Sequence, residues 1–379
     1  MKILLISLKH KQINNNYYVY PHFISILKSL SGKEYDILSI DENKTEIDFN
    51  IKADIVGISV YSATASRAYF LALHYKRLGA TVVLGGPHAS ALPEEGLQFA
   101  DSIIVGRAEG SWNQFLRDVK SNKIKKKYKS SLHLSDNHFE VDHPEHGDSE
   151  LTHLYKKDYK ILELAISKTW IHSLDKILDE IHQTKLKNLL LLDYDIHFMK
   201  KYSQTFFNEL KHFKKNWMAQ FSVDHIINND FLHQAAESGC VCCELNITIP
   251  SEELHKRDDY LEQSFTAVQK LRDLGIHTIP KITFGYDVDN PTIFDNTLAF
   301  MEKTKLSHGH FEIYTPFPGS GLFYNLDRQN RIIDYNWDNY DFKHVVHKPL
   351  LMSPEDLQMG YEKVLKTCQP KKSFFSRFF

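Results

Sequence analysis

Apolar positions in this chain fall in short blocks rather than in strict alternation, and the blocks set the expected architecture. ADIVGISV (53–60), ATVVLGG (80–86) and DSIIVG (101–106) are runs rich in Val and Ile, with helix-like segments between them. Continuous apolar runs separated by helices predict βαβ units in a parallel sheet. Met1 to Ser7 and Tyr35 to Asp41 read as two more strands, His22 to Leu30 as a helix, and Trp112 to about Lys123 as the last helix. Residues 1–125 are thus expected to form a five-stranded doubly wound, Rossmann-like domain of the α/β class. From Tyr159 the alternation resumes: KILELAISKT, NLLLLDYDIHF, WMAQFSVDHI, CVCCELNITI, IHTIPKITFGY and HFEIYTPFPGS are strand-like, with helical stretches between them. Six such units predict a partial (β/α)6 barrel over 159–326. Residues 126–158 read as a polar linker, and 327–379 as a C-terminal helical extension.

Composition narrows the class. The 379 residues suffice for two or three domains, and 42% hydrophobic with 25% charged residues is the balance of a soluble globular protein. A formal net charge of -2 gives no basic face for nucleic acid. No apolar run is long enough to span a membrane, and MKILLISL is too short for a signal peptide. Four cysteines, three of them within Gly239 to Cys243, make no disulfide framework and suit a reducing cytoplasm. The basic run Lys120 to Lys129 leads into a stretch carrying His133, His138, His143, His146 and His153. Those spacings fit neither one helix face nor a zinc pattern, so the stretch reads as a solvated linker. The terminal KKSFFSRFF pairs basic residues with four phenylalanines; it reads as a frayed terminus or as a peripheral contact with a partner or membrane surface.

Candidate chemistry gathers where the strands end. Tyr61, Ser62 and Thr64 follow one strand, Gly85, Gly86, Pro87 and His88 the next, and Gly106 and Glu109 the third. Ligands of open α/β sheets bind outside the carboxyl ends of the strands. Adjacent glycines let a bulky ligand approach bare backbone, and hydroxyls there either cap a helix or hold a polar group. In the second half, Glu163, Asp193 and Asp195 are expected at the barrel mouth, as an acid–base cluster or as polar residues without that role.

The string GGPHASALPEEGLQFADSIIVGRAEGSW resembles the cobalamin-binding domain found at the N-terminus of many radical S-adenosylmethionine enzymes. Those proteins carry G-G-x-H-x-S/T-x-x-P after one strand and G-E-G-E after the next. Gly85, Gly86, His88 and Pro93 keep the first pattern, while Gly106-Arg107-Ala108-Glu109 keeps half of the second acidic pair. A generic flavodoxin-like domain with tight turns is the plainer alternative. The second half resembles the radical S-adenosylmethionine barrel through Asp193-Tyr194-Asp195, Ala236 to Cys240, Phe284 to Asp287, Tyr314 to Ser320 and Met352 to Leu357.

What the resemblance implies is modified by what is missing. The D-x-H-x-x-G motif that places a histidine under cobalt is absent from LKHKQINNNYY, which implies cobalamin bound base-off without a protein imidazole. Relatives bind a 4Fe–4S cluster through C-x-x-x-C-x-x-C after the first barrel strand, because clusters demand thiolates held on one loop. Here KILELAISKT runs into WIHSLDKILDEI without cysteine, and Cys240, Cys242 and Cys243 read as core packing, with Cys240 and Cys242 on one strand face and Cys243 on the other. Where relatives have G-I-E near the ribose, this chain has Asn246-Ile247-Thr248. Neither cluster nor S-adenosylmethionine is therefore expected. The resulting expectation is a degenerate member, a pseudoenzyme that binds a corrinoid or related tetrapyrrole and serves as partner, carrier or sensor. Its alternatives are a corrinoid-dependent methyltransferase-like enzyme working without the cluster, and the non-catalytic subunit of a heteromer.

Overall fold

The computed structural model describes residues 1–9, 21–129, 159–162, 165–167, 170–171, 174–191, 200–227, 229–251 and 258–368. The chain divides into two compact units, one of Met1–Glu145 with Thr315–His347, the other of His146–Tyr314 with Lys348–Phe379. The C-terminal stretch therefore does not stay together as one extension. Its first part packs into the N-terminal unit, where Trp337 lies against that unit's core and joins it to the Phe323–Tyr340 cluster.

In the first unit the apolar runs become β1 (Lys2–Ser7), β2 (Asp36–Asp41), β3 (Ile55–Ser59), β4 (Thr81–Gly85), β5 (Ser102–Val105) and β6 (Lys127–Lys129). All pair in parallel, in the order β2-β1-β3-β4-β5-β6. The sixth strand lies in the basic run that the sequence pattern assigned to the linker. Tyr128 supplies its apolar contact, buried between lysines whose ends point outward. Alternate strand residues serve opposite faces. Leu4, Ile6, Val56, Ile58, Val82 and Leu84 pack under the helix Ala65–Arg77. Ile3, Leu5, Ile55, Val83 and Ile104 pack under the helices His22–Leu30 and Trp112–Lys120. Burial on both faces explains why the strands read as unbroken apolar runs. The strand order reverses between β1 and β3, which creates a crevice at their carboxyl ends.

The second unit holds β7 (Tyr159–Leu162), β8 (Ala165–Ser167), β9 (Trp170–Ile171), β10 (Asn188–Leu191), β11 (Asn216–Ser222), β12 (Cys240–Asn246), β13 (His277–Phe284) and β14 (His310–Ile313). Six of them form a parallel sheet in sequence order, β7-β10-β11-β12-β13-β14, with helices between successive strands from β10 onward. This is the open, barrel-like (β/α)6 arrangement that the pattern predicted. KILELAISKT, read as one strand, is instead split: its first part enters the sheet as β7, and β8 pairs antiparallel with β9. Trp217, Phe221, Leu245, Ile282, Phe284, Phe311 and Ile313 are all buried on one face. Trp217 stacks on Phe207 of the helix Lys200–Phe213 at 5.1 Å, and Phe284 meets Phe294 of the helix Thr292–Lys303 at 5.2 Å.

Candidate functional site

The loops after β3, β4 and β5 converge at the carboxyl end of the first sheet. They are knitted by side chains that the sequence suggested would face a ligand. The Thr64 hydroxyl accepts from the Tyr61 amide at 3.1 Å and donates to the Tyr61 carbonyl at 3.0 Å, closing a single turn over Ser62–Thr64. Ser62 Oγ lies 3.0 Å from His88 Nδ1, and both residues are buried. The other imidazole nitrogen, Nε2, sits 3.7 Å from Glu95 Oε1, which also accepts from Trp337 Nε1 at 2.9 Å. Burial alone would raise the Glu95 carboxyl, but the adjoining His88 imidazole and Tyr69 phenol and the Trp337 hydrogen bond hold it below its usual value. Burial, then the nearby Glu95 charge, drives the Tyr69 phenol well above its ordinary range. Ser62, His88, Glu95 and Trp337 thus form one polar chain, buried at Ser62 and His88 and half-buried at Glu95 and Trp337.

The glycines divide in the same way. Gly86 has φ +92°, and a Cβ there would lie 2.8 Å from Val60 N and 2.9 Å from Val60 O, so glycine is required by backbone packing. Gly85 has ordinary clearance, with Ile104 Cβ 3.9 Å from the Cβ position. Gly106, at φ +81°, is open: no atom lies within 4 Å of its Cβ position, and its amide donates to Ser90 Oγ at 2.9 Å. Glu109 is occupied by Arg107, with Oε1 3.1 Å from Nε and 2.5 Å from Nη2. Among the residues singled out from the sequence, Tyr61, Pro87 and Gly106 are the exposed ones.

A second set of polar residues, which sequence reasoning passed over, lines the face of the second sheet opposite its helices. Parallel register pairs Gln220 with Glu244, Asn246 with Lys281, Lys281 with His310, and Thr283 with Glu312. Paired residues point the same way, so these side chains share one face. His310 Nδ1 lies 2.8 Å from Glu244 Oε1 and its Nε2 3.2 Å from Glu312 Oε1. Lys281 Nζ is 3.3 Å from Glu312 Oε2. Burial would raise the Glu244 carboxyl, but the His310 hydrogen bond and the His310 and Lys281 charges hold it low. The available signal was the period-two polar residue in each strand: E and N in CVCCELN, K and T in HTIPKITF, H and E in HFEI.

The cysteines differ in detail from expectation. A register shift pairs Cys240 with Trp217, Cys242 with Met218 and Cys243 with Ala219. That sets Cys240 and Cys243 with the helix-side residues and Cys242 with the polar face. All four cysteines are buried and outside any disulfide, and burial pushes the Cys240 and Cys243 thiols well up. They do not supply a loop of three thiolates, and among the described residues no group of three or more His, Cys, Asp or Glu could hold a metal ion. Glu163, Asp193 and Asp195, the histidine-rich stretch around His143, and KKSFFSRFF lie outside the described residues.

Comparison with known proteins now adds what geometry alone does not. No family model matches the chain. It is 24% identical over 383 residues to bacteriochlorophyllide d C-12(1)-methyltransferase of Chlorobaculum tepidum, covering 91% of this chain and 81% of that protein. It is 23% identical to the C-8(2)-methyltransferase of the same organism, covering 91% and 83%. Its fold matches the radical S-adenosylmethionine methyltransferase TsrM from Kitasatospora setae, solved with cobalamin and a 4Fe–4S cluster, with TM-score 0.63 and 12% identity over 86% of this chain and 78% of TsrM. The same enzyme with tryptophan and a S-adenosylmethionine analogue gives TM-score 0.64, 11% identity, and coverage of 86% and 76%. The chain shares the α/β fold of TsrM, with a parallel sheet in each unit.

These findings support the resemblance but not the degenerate status attached to it. They also correct the cofactor expectation. Neither cluster nor S-adenosylmethionine was expected, yet the matched fold carries a cluster and cobalamin in one TsrM structure and a S-adenosylmethionine analogue in the other. The missing cysteine string and the Asn246-Ile247-Thr248 in place of G-I-E do not suffice to exclude either group. Among the described residues no helix is long and apolar enough to cross a membrane.

Proposed function

We propose that this chain is a corrinoid-dependent methyltransferase whose first unit binds the corrinoid and whose second unit receives the methyl acceptor on its polar sheet face. The observation that carries this is the likeness to two methyltransferases over 91% of the chain. The geometry is compatible with it. Gly106 offers open backbone, Tyr61 and Pro87 are exposed, the Ser62–His88 contact ties the loops after β3 and β4 together, and the Gly106 amide bonds Ser90 of the loop after β4. These residues fit a large flat ligand resting on backbone and ring, with Ser62 and Thr64 shaping the loop from inside instead of donating to the ligand. A bound corrinoid supplies a cobalt centre able to carry a methyl group. In the second unit, the Glu244–His310–Glu312–Lys281 ladder offers imidazole and carboxylate groups able to hold or move a proton at the acceptor. A tetrapyrrole acceptor is the class that the two relatives suggest by name.

The chain is purified without oxygen and incubated with hydroxocobalamin, then with methyl-labelled S-adenosylmethionine and a bacteriochlorophyllide. Retained corrinoid with transfer of label supports the reading. Retained corrinoid without transfer overturns the methyltransferase reading and leaves corrinoid binding alone. Neither retention nor transfer overturns both.

A further inference from the structure

At the carboxyl ends of β13 and β14, two tyrosines stand where parallel sheets take their ligands. The rings of Tyr286 and Tyr314 have centroids 4.3 Å apart at 39°. Tyr286 is 37% exposed and the neighbouring Val288 48%, so ring and apolar surface are accessible at this end of the sheet. The loop beneath is rigidly held. Asp289, 3% exposed, accepts from the Gly285 and Tyr286 amides at 2.9 Å each, and Ser251 Oγ donates to the Val288 carbonyl at 2.8 Å. Tyr314 continues the ladder through its amide to Phe284 O at 2.8 Å. His310, Glu312 and Tyr314 follow at two-residue spacing, so the ring pair tops the same sheet face that carries the charged ladder.

We propose that Tyr286 and Tyr314 form a stacking platform for a planar conjugated ring, the chemical class of the methyl acceptor. This rests on the reading of the second unit as the acceptor's side. A pre-held aromatic pair gives area and orientation at low entropic cost, and it favours flat π-systems over bulky aliphatic ones. The polar ladder below then faces whatever edge of the ring points into the sheet.

The test uses the full chain and two probes of similar acidity but different shape: deuteroporphyrin, which is planar, and cholate, which is not. Binding is followed by the porphyrin absorbance shift, with cholate as competitor. Tyr286→Leu and Tyr314→Leu should each weaken porphyrin binding about tenfold, the scale of one lost aromatic contact. Tyr286→Phe and Tyr314→Phe should stay within about threefold of the parent, because the ring is what binds. Unchanged binding in the Leu variants, equal loss in the Phe variants, or competition by cholate at porphyrin concentrations overturns the platform. Should Tyr314→Leu fail to fold, the half-exposed Tyr286 pair of variants decides alone. Hydroxocobalamin binding, measured on the same samples, separates the two ideas: its absence counts against the corrinoid reading and leaves the porphyrin result to judge the platform.

Discussion

Gly86→Ala and Gly106→Ala make a matched pair, because both residues have φ near +85° but only one is enclosed. At Gly86 φ is +92° and ψ 178°, a region that is essentially glycine-only and costs other residues about 1–3 kcal/mol. The added Cβ would also sit 2.8 Å from Val60 N and 2.9 Å from both Val60 O and Ser59 Oγ. Val60 cannot yield cheaply. Its amide donates to Gly85 O at 2.8 Å and its carbonyl accepts from the His88 amide at 3.0 Å. Loss of one such bond adds about 1 kcal/mol, so the total is about 2–4 kcal/mol. At Gly106 the Cβ meets nothing within 4 Å, leaving only the backbone cost of about 1 kcal/mol. Thermal unfolding of the full chain should show Gly86→Ala lowered by about 5–15 °C and Gly106→Ala by no more than about 4 °C. Equal shifts for the two would refute the reasoning, since conformation alone would then account for both. The contrast also disqualifies substitutions at Gly86 as ligand probes; their effect on the fold would hide any effect on binding.

Other outcomes follow from the same geometry. His88→Ala leaves the buried Ser62 hydroxyl and Glu95 without the imidazole and opens a void, so chemical denaturation should show about 2–4 kcal/mol lost, against about 1–2 kcal/mol for Trp337→Phe, which removes the indole donor and part of the ring's packing. Gly360→Ala drives a Cβ into the Phe294 ring between two packed helices and should cost about 1–3 kcal/mol in the same assay. Burial, with a smaller effect of His277, depresses His308 from 6.5 to about 4, so its contribution to stability is whole above pH 6.5 and lost as pH falls toward 4. Asp289, raised by burial from 3.8 to about 6, acts with the opposite sign: its contribution is whole below pH 3.8 and lost as pH rises through 6. Between pH 4 and 6 the two oppose each other, so the melting temperature should fall more with rising pH in His308→Gln than in the parent and rise more in Asp289→Asn, and the reverse pattern would contradict the assignment.

By itself the sequence determined the secondary-structure rhythm and the two parallel sheets, since unbroken Val/Ile runs bounded by helices have few other ways to bury both faces. It also placed the loops after β3, β4 and β5 at the carboxyl end of the first sheet, because strand ends are where chain direction and hydroxyl or glycine content change together. Only tertiary structure decided how those residues are used. Ser62, Thr64 and His88 are spent within the loops, and Gly86 answers to Val60, while Gly106 is left open; none of this is visible from residue type, because each depends on a partner far along the chain. Trp337 is 242 residues from the Glu95 that it bonds, and nothing local could pair them. Burial of Tyr128 turned a basic run into the sixth strand, and the register shift before Met218 set the cysteine faces. The charged ladder across β12, β13 and β14 arises in the same way. One polar residue per strand means little alone, and parallel register brings Glu244, Lys281, His310 and Glu312 onto one face.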